Sequence, residues 1–296
     1  MHPFSASLAL PYSSHSKQLH RFAHLKTKHK QIYVIISPPR CSSTAFSRVF
    51  WEQPTIRYYS HEPFEVTYYD GKELTAVAHK LNKPLDLLNV ERLQDSSGSS
   101  LLIKEMPYQV GDNFPILCEI ASKPIIFLMR DPRLNIASRI EKKRMVGESI
   151  YFPHIETGWE LIQEQIAYCD VQGVPYMIVD STDFRNHPDD LFPQIFAQFK
   201  LPFSPEMLVW NPCEDSVDLD NLEGKHRHLY ARVLNSNSLQ PATEAIPEID
   251  EFPEAHGIRD HVEFCLEIYN SLKESPHRLH PQVGVAAISY RASEEQ

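Results

Sequence analysis

Residues 32–46 have the sequence IYVIISPPRCSSTAF. The first five residues are apolar and β-branched or aromatic, which is typical of a parallel strand buried on both faces. The polar residues 37–43 then predict a loop, and a helix is expected from about Thr44 to Gln53, where Pro54 ends it. A strand, a short loop and a helix N-terminus together form an anion site, because the first amides of a helix have no intrahelical acceptor.

The loop at residues 37–43 carries groups that suit an anion. Arg40 supplies a fixed charge and a fork of donors, while Ser42, Ser43 and Thr44 supply hydroxyl groups and exposed amides. The segment has no glycine and no Lys-Ser/Thr pair, so it departs from the Walker pattern of proteins that hydrolyse ATP. Without glycine, the loop backbone is expected to keep more strictly to negative φ. A polar strand-to-helix turn with a hydrogen-bonded arginine is the alternative interpretation.

A second polar motif follows another apolar strand. Residues 124–129 predict this strand, and the nine residues that begin at Arg130 are RDPRLNIAS. Asp131 and Pro132 suit the start of a helix, which places Ser138 about two turns along it. Because Arg130 leaves the carboxyl end of the strand, the arginine and the serine are expected to reach the same phosphate. A simple helix cap with Arg130 paired to Asp131 is the alternative.

Strands and helices alternate along the rest of the chain. Further strands are predicted at residues 101–103 and 174–179, and amphipathic helices near residues 156–172 and 262–272. This alternation indicates an α/β fold with a central parallel β-sheet and helices on both faces. In such sheets, ligands bind at the carboxyl ends of the strands. The acidic, proline-containing residues 244–254 predict an exposed loop.

The two motifs resemble those of the sulfotransferases that use 3′-phosphoadenylyl sulfate (PAPS). The phosphosulfate loop of that family is roughly P-[RK]-[ST]-G-[ST]-T, and here Cys41 and Ser42 replace its usual Ser-Gly while the other four positions match. The second motif, R-[DN]-P with a serine eight residues after the arginine, matches completely. The resemblance covers roughly residues 31–210 and implies a P-loop NTPase-like sulfotransferase fold.

The resemblance also implies an activity. The enzyme would transfer a sulfuryl group from PAPS, its co-substrate, to a hydroxyl or amine acceptor, with no metal required. Arg40 would stabilise the bridging oxygen and the 5′-phosphate, while Arg130 and Ser138 would bind the 3′-phosphate. The implied donor-binding residues are Arg40, Cys41, Ser42, Ser43, Thr44, Ala45, Arg130, Ser138 and Lys225.

Two further basic positions follow from the same resemblance. Lys104, at the end of a predicted strand, resembles a lysine that serves the family as a second catalytic cation. A solvated lysine at a strand end is the alternative. Many relatives close the donor site with a basic C-terminal segment, and Lys225, Arg227 or Arg232 could have this role here. A solvated basic loop is the alternative for these residues.

The implied general base is a carboxylate or a histidine. Glu62 lies twenty-two residues past Arg40, and a glutamate in this region serves as base in the tyrosylprotein and carbohydrate branches of the family. His61 and Glu105 are its rivals, whereas the base histidine of the small-molecule branch would fall at Met106. A surface acid in a loop is the alternative for Glu62. If Glu62 is the base, Glu62→Gln is expected to leave folding nearly unchanged and to lower turnover.

Charge and cysteine content bound the setting. Residues 1–30 carry five cations and no acid, so within a net charge of −10 residues 31–296 carry −15. An acidic body argues against nucleic-acid binding, and no apolar run is long enough to predict a membrane span. The five cysteines form no zinc-type pair and favour reduced thiols in a cytoplasmic setting. Residues 31–290 are expected to form one domain after a flexible basic extension at residues 1–30, with a transit peptide as the alternative for the extension.

Two other functions stay open. A P-loop kinase or nucleotide hydrolase would bind ATP with magnesium, and an effector that keeps the fold would bind nucleotide without turnover. The acceptor could be an alcohol, a phenol, a sugar, a peptide tyrosine or an amine, and the oligomeric state is open too. An acceptor wall or ordinary packing could explain the aromatic residues Tyr58, Tyr59, Phe64, Tyr68, Tyr69, Tyr151 and Phe152.

Overall fold

A single mixed sheet organises the chain. The computed structural model describes residues 21–87, 99–213, 219 and 230–282, and within them six strands pair in the order β3-β2-β4-β1-β5-β6. All neighbouring strands are parallel except β2 and β3. The strands are β1 Ile32–Ile36, β2 Ile56–His61, β3 Leu85–Asp86, β4 Ser100–Glu105, β5 Ile125–Met129 and β6 Tyr176–Asp180.

Helices cover both faces of this sheet, as the alternation of strands and helices predicts. The α-helices are α1 Leu25–Lys28, α2 Ser43–Trp51, α3 Glu65–Tyr68, α4 Leu74–Asn82, α5 Pro107–Val110, α6 Phe114–Ile120, α7 Pro132–Met145, α8 Trp159–Gln172, α9 Ser181–Asn186, α10 Pro188–Gln198, α11 Ala231–Leu234 and α12 Ile258–Lys273. The α/β fold class is therefore confirmed, and the phosphate-loop helix begins within one residue of its predicted start.

The strand β1 separates two hydrophobic cores. Because side chains alternate along a strand, Tyr33 and Ile35 face a core with α2 and α10, whereas Ile32, Val34 and Ile36 face a core with α6, α8 and α12. All five side chains of β1 are buried. This explains why β1 is a continuous apolar run rather than an alternating one.

The strand order places a crevice at the carboxyl end of β1. From β1 the chain passes to β2 and β4 on one side of the sheet and then to β5 and β6 on the other. At such a switch point, the loops leave neighbouring strands in opposite directions and a ligand crevice opens between them. Residues at or just after the carboxyl ends of β1, β2, β4 and β5 therefore meet at one edge of the sheet.

The N-terminal part of the described chain belongs to the fold. Phe22 and Leu25 are fully buried in the core that also contains Ile32. Lys26 Nζ lies 2.9 Å from Glu119 Oε1 at the surface. The extension predicted at residues 1–30 otherwise lies outside the described residues, which begin at position 21. In the part of the chain that the structure describes, no helix combines the length and the apolar composition needed to cross a bilayer.

Candidate active site

One large cavity opens at the carboxyl edge of the sheet. Its volume is about 1060 Å³, and it collects residues from the loops after β1, β2 and β5, from the end of β4 and from α7. The site residues predicted from sequence that line it are Arg40, Ser42, Ser43, Thr44, Ala45, Glu62, Lys104, Arg130 and Ser138. Lys225 lies outside the described residues.

The backbone of the loop at residues 37–43 turns through the left-handed region without glycine. Arg40 has φ 65° and Ser42 has φ 58°, so the prediction that this loop keeps to negative φ is wrong. Ser42 stands where the family motif has glycine, and its carbonyl accepts a hydrogen bond from Phe46 N at 3.0 Å. A left-handed conformation costs a residue with a Cβ about 1–2 kcal/mol. The surrounding loop and α2 therefore impose this shape against the local preference.

Cys41 is placed beneath the loop rather than in the cavity. Its side chain is fully buried, and the thiol lies 3.8 Å from Asn135 Nδ2. Burial raises the pKa of the Cys41 thiol to about 12. A ligand in the cavity can therefore meet this residue only through its backbone.

Arg40 is in direct contact with both Arg130 and Ser138. Arg40 Nε donates to Ser138 Oγ at 3.2 Å, and Arg130 Nη1 donates to the carbonyl oxygen of Arg40 at 3.0 Å. Both motifs thus meet through side chains ninety-eight residues apart in sequence. The Arg130 Nε group is buried and has no hydrogen-bond partner among the described residues.

Asp131 does not pair with Arg130. Its carboxylate caps α7 by accepting a hydrogen bond from Arg133 N at 2.9 Å, and its second oxygen lies 2.7 Å from Arg133 Nη2. The alternative of an Arg130–Asp131 ion pair is therefore wrong. This leaves Arg130 to face the cavity.

Glu62 and Lys104 form a buried ion pair on the other side of the cavity. Their side chains are each 2% exposed, and Lys104 Nζ donates to Glu62 Oε1. Gln109 Nε2 donates to the second Glu62 oxygen at 3.1 Å, and His61 Nε2 lies 3.2 Å from the first. The alternatives of a surface glutamate and a solvated lysine are both wrong.

The ion pair determines the protonation of Glu62. Burial by itself would raise the pKa of Glu62, but the charges and hydrogen bonds of Lys104 and His61 outweigh it and leave the pKa lowered. Glu62 is thus a carboxylate whose proton affinity is low while Lys104 contacts it.

The two rival bases point elsewhere. His61 Nδ1 and Tyr59 OH are hydrogen-bonded at 2.7 Å. The His61 ring borders a separate cavity of about 220 Å³. The carboxylate of Glu105 accepts hydrogen bonds from Phe64 N at 2.8 Å and Met106 N at 2.7 Å. Burial, together with the charge of Glu62, raises the pKa of Glu105 well above its usual range. Neither His61 nor Glu105 is one of the described residues that line the large cavity.

Two charged residues of the site, Arg185 and Glu244, have little or no sequence signal. Arg185 lies in α9, five residues after the end of β6, so its distance from a strand end is its only sequence signal. Glu244 lies in the segment predicted to be an exposed loop, yet its carboxylate reaches Arg130 and Arg185. Arg232, one of the three basic residues that the resemblance suggests for closing the donor site, also lines the cavity.

Positive charge accumulates where the loops after β1 and β5 line the cavity. Arg40, Arg130, Arg185 and Arg232 all line it, and Glu244 is the carboxylate among them. Burial lowers the pKa of Arg40, and the neighbouring charge of Arg130 lowers it further. Two buried guanidinium groups, those of Arg130 and Arg185, and two more accessible ones around one carboxylate favour a polyanionic ligand.

Aromatic side chains also line the cavity. Tyr69 OH lies 3.0 Å from Tyr108 OH, and the Arg139 guanidinium sits 4.6 Å from the centroid of the Phe152 ring. Arg139 is also paired with Glu156. From the predicted aromatic group, Tyr69, Tyr151 and Phe152 line the cavity, whereas Tyr59 and Phe64 are fully buried in the cores.

Among the described residues, no group of three histidine, cysteine, aspartate or glutamate side chains is arranged to hold a metal ion. The chemistry of the site, as described, is that of arginine, lysine, glutamate and hydroxyl groups around one cavity.

No protein-family model matches the chain, and no curated protein matches it. Solved structures that are similar to the chain include two sulfotransferases. The sulfotransferase domain from the curacin biosynthetic pathway has a TM-score of 0.44 and 16% identity over 83% of this chain and 98% of that one. Mouse sulfotransferase SULT7A1, solved in complex with PAP, has a TM-score of 0.42 and 9% identity over 88% of this chain and 90% of that one.

Proposed function

We propose that the chain is a sulfotransferase that moves a sulfuryl group from PAPS to a hydroxyl or amine acceptor. One observation carries the proposal. A single cavity brings together three sets of residues: the loop between β1 and α2, Arg130 with Ser138, and the buried Glu62–Lys104 ion pair. These elements would supply, respectively, a phosphosulfate site, a 3′-phosphate site and a base with a neighbouring cation.

The residues present fit a nucleotide with phosphate groups at both ends of its ribose. The unpartnered Nε of Arg130 is a buried donor at the proposed 3′-phosphate site. The amides and hydroxyl groups of residues 42–44 line the other end, where α2 begins. A cavity of about 1060 Å³ is at the upper end of the size range of small-molecule sites, so it has room for a nucleotide and an acceptor side by side.

The bound donor supplies a sulfuryl group on a phosphate leaving group, and the chain supplies charge and a proton acceptor. Arg40 would donate hydrogen bonds to the bridging oxygen, where negative charge grows as the sulfur–oxygen bond breaks. Glu62 would accept the proton of the acceptor hydroxyl. The acceptor would lie against Tyr69, Tyr108 and Phe152, which line the cavity.

The ion pair links donor binding to the base. Lys104 contacts Glu62 now, and a bound sulfate would offer the ammonium group a second anion. Lys104 shared with the sulfate would stabilise the Glu62 carboxylate less. The pKa of the buried carboxyl would then rise, because its burial would be less completely offset. Glu62 would therefore become an effective base only when the donor is in place.

A second candidate, a nucleotide-binding module without turnover, is favoured by the same pair. If Lys104 stays on Glu62 after nucleotide binding, the low proton affinity of this carboxylate leaves the site without a competent base. The two candidates share the donor site and differ only in turnover.

Ligand-induced stabilisation tests the donor class. Adenosine 3′,5′-bisphosphate at a hundred times its dissociation constant is expected to stabilise the protein by about 2.7 kcal/mol, and adenosine 5′-phosphate at the same concentration by less. A turnover assay distinguishes an enzyme from a binding module. PAPS is incubated with the protein and a phenol, an alcohol or an amine, and chromatography measures its conversion to the bisphosphate. Stabilisation by ATP with magnesium and not by the bisphosphate would overturn the proposal in favour of a P-loop kinase or hydrolase.

A further inference from the structure

The carboxylate of Glu244 lies between two buried guanidinium groups. Its Oε1 is 3.3 Å from Arg130 Nη2 and 3.1 Å from Arg185 Nη1, and its Oε2 is also 3.1 Å from Arg185 Nη1. The side chains of both arginines are 7% exposed, whereas that of Glu244 is 37% exposed. The carboxylate thus enters the site from the solvent side.

Arg185 is held in place independently of Glu244. Its Nε donates to the carbonyl oxygen of Gln240 at 3.0 Å, and its Nη2 donates to that of Pro241 at 2.6 Å. It extends from α9, which directly follows the carboxyl end of β6. Arg185 would therefore stay at the edge of the cavity if the Glu244 side chain moved away.

The charges at this point are unequal. Among the described residues, two guanidinium groups face one carboxylate here, which leaves an excess of one positive charge in a largely buried place. A phosphate monoester carries nearly two negative charges at neutral pH and presents three acceptor oxygens. It would therefore match both guanidinium groups better than the single carboxylate does.

We propose that Arg185 is the second guanidinium ligand of the nucleotide 3′-phosphate and that Glu244 is a displaceable carboxylate that occupies this subsite in its absence. The inference rests on the proposed function, because it takes Arg130 as the first 3′-phosphate ligand. Binding exchanges the Glu244–arginine contacts for phosphate–arginine contacts, and the Glu244 carboxylate moves into water.

The segment around Glu244 permits that exchange. Residues 239–248 lie outside helices and strands, and Glu244 is itself exposed. Its pKa is lowered because its hydrogen bonds and the charges of Arg185 and Arg130 outweigh the effect of burial. Glu244 therefore stays ionised at neutral pH and competes with the phosphate rather than leaving the site by protonation.

The consequence is that Glu244 competes with the 3′-phosphate for the two arginines and so reduces the preference for 3′-phosphorylated nucleotides. A nucleotide with a 3′-phosphate displaces Glu244 and gains both arginines. A nucleotide without one, such as adenosine 5′-phosphate or ATP, leaves Glu244 where it is and gains neither. Glu244 thus lowers the affinity for all 3′-phosphorylated ligands and leaves that for the others unchanged.

Calorimetric titration of variants with adenosine 3′,5′-bisphosphate and adenosine 5′-phosphate tests this. Glu244→Gln is expected to tighten bisphosphate binding about threefold or more, since an exposed carboxylate no longer competes. Arg185→Gln is expected to weaken it on the order of tenfold or more, from the loss of charge-assisted hydrogen bonds. Binding of adenosine 5′-phosphate should change by less than about twofold in both. Glu248→Gln, a charge-matched change in the same segment, should alter neither ligand.

The outcomes separate this inference from the proposed function. If the wild type prefers the bisphosphate but Glu244→Gln and Arg185→Gln leave that preference unchanged, the inference is overturned and the proposed function stands. If neither the wild type nor Glu244→Gln binds the bisphosphate, both are overturned. Binding by Glu244→Gln alone would support both. Arg185 also donates hydrogen bonds to Gln240 and Pro241, so the result for Arg185→Gln counts only if this variant unfolds cooperatively. If it does not, Glu244→Gln alone decides.

Discussion

Glu62 and Lys104 form an ion pair in which each side chain is 2% exposed, at the end of two neighbouring parallel strands. The pairing register explains the contact, because His61 lies directly opposite Lys104 and Glu62 is the next residue. The Glu62 amide also donates to the carbonyl oxygen of Lys104 at 2.7 Å. Backbone pairing therefore positions the two charges before their side chains meet.

Removal of either partner should destabilise the fold. From sequence, Glu62→Gln was expected to leave folding nearly unchanged, but it leaves the buried Lys104 ammonium without its carboxylate. We expect Glu62→Gln and Lys104→Met each to lower the free energy of unfolding by about 3–5 kcal/mol, measured by urea denaturation. The double variant should lose clearly less than the sum of the two. Glu119→Gln, which breaks the exposed Lys26–Glu119 pair, should cost about 1 kcal/mol or less. Additive losses would show that the pair is not coupled.

Acid should remove the contribution of the pair. The folded-state pKa of Glu62 is lowered, so its stabilising effect is complete above the unfolded-state pKa of about 4.3 and is lost as the pH falls towards the folded-state value. The free energy of unfolding of the wild type should therefore fall more steeply below about pH 4 than that of the Glu62→Gln/Lys104→Met variant. Urea midpoints measured between neutral pH and about pH 3 check this. Parallel curves for the two proteins would contradict it.

Arg130 should discriminate between nucleotides with and without a 3′-phosphate. Arg130→Gln is expected to weaken adenosine 3′,5′-bisphosphate by about 10–150-fold, the equivalent of 1.5–3 kcal/mol for charge-assisted hydrogen bonds. Adenosine 5′-phosphate should bind almost as before. Arg144→Gln, at the exposed end of α7 and outside the cavity lining, is the matched control. If Arg130→Gln keeps the preference for the bisphosphate, the 3′-phosphate site is not at Arg130.

Glycine at position 42 should stabilise the protein. Ser42 has φ 58°, which costs about 1–2 kcal/mol, and glycine removes this cost at the expense of about 0.5–1 kcal/mol of additional chain entropy. The net gain is expected to be about 0.5–1 kcal/mol in the free energy of unfolding, measured by thermal or urea denaturation. Ser43→Gly, in the first turn of α2, should be neutral or destabilising instead. A loss of stability in Ser42→Gly would mean that the Ser42 side chain makes a compensating contact.

The sequence by itself determined the fold class and the position of the two polar motifs that follow β1 and β5. Runs such as residues 32–36 and 125–129 are long enough and apolar enough to be buried strands in almost any context. The residues that follow a parallel strand lie at one edge of the sheet whatever the details of packing. For this reason Arg40, Lys104 and Arg130 could be assigned to one cavity from their order along the chain.

The tertiary structure alone decided how these residues are paired and exposed. Four features have no local sequence signal: the left-handed backbone of Ser42, the buried Cys41 thiol, the Glu62–Lys104 ion pair, and the Glu244 carboxylate between Arg130 and Arg185. The last three depend on contacts between segments far apart in the chain, such as Arg185 and Glu244, which are fifty-nine residues apart. Local propensity and spacing do not encode such contacts, because strand register and the path of long loops are set by the packing of the whole core.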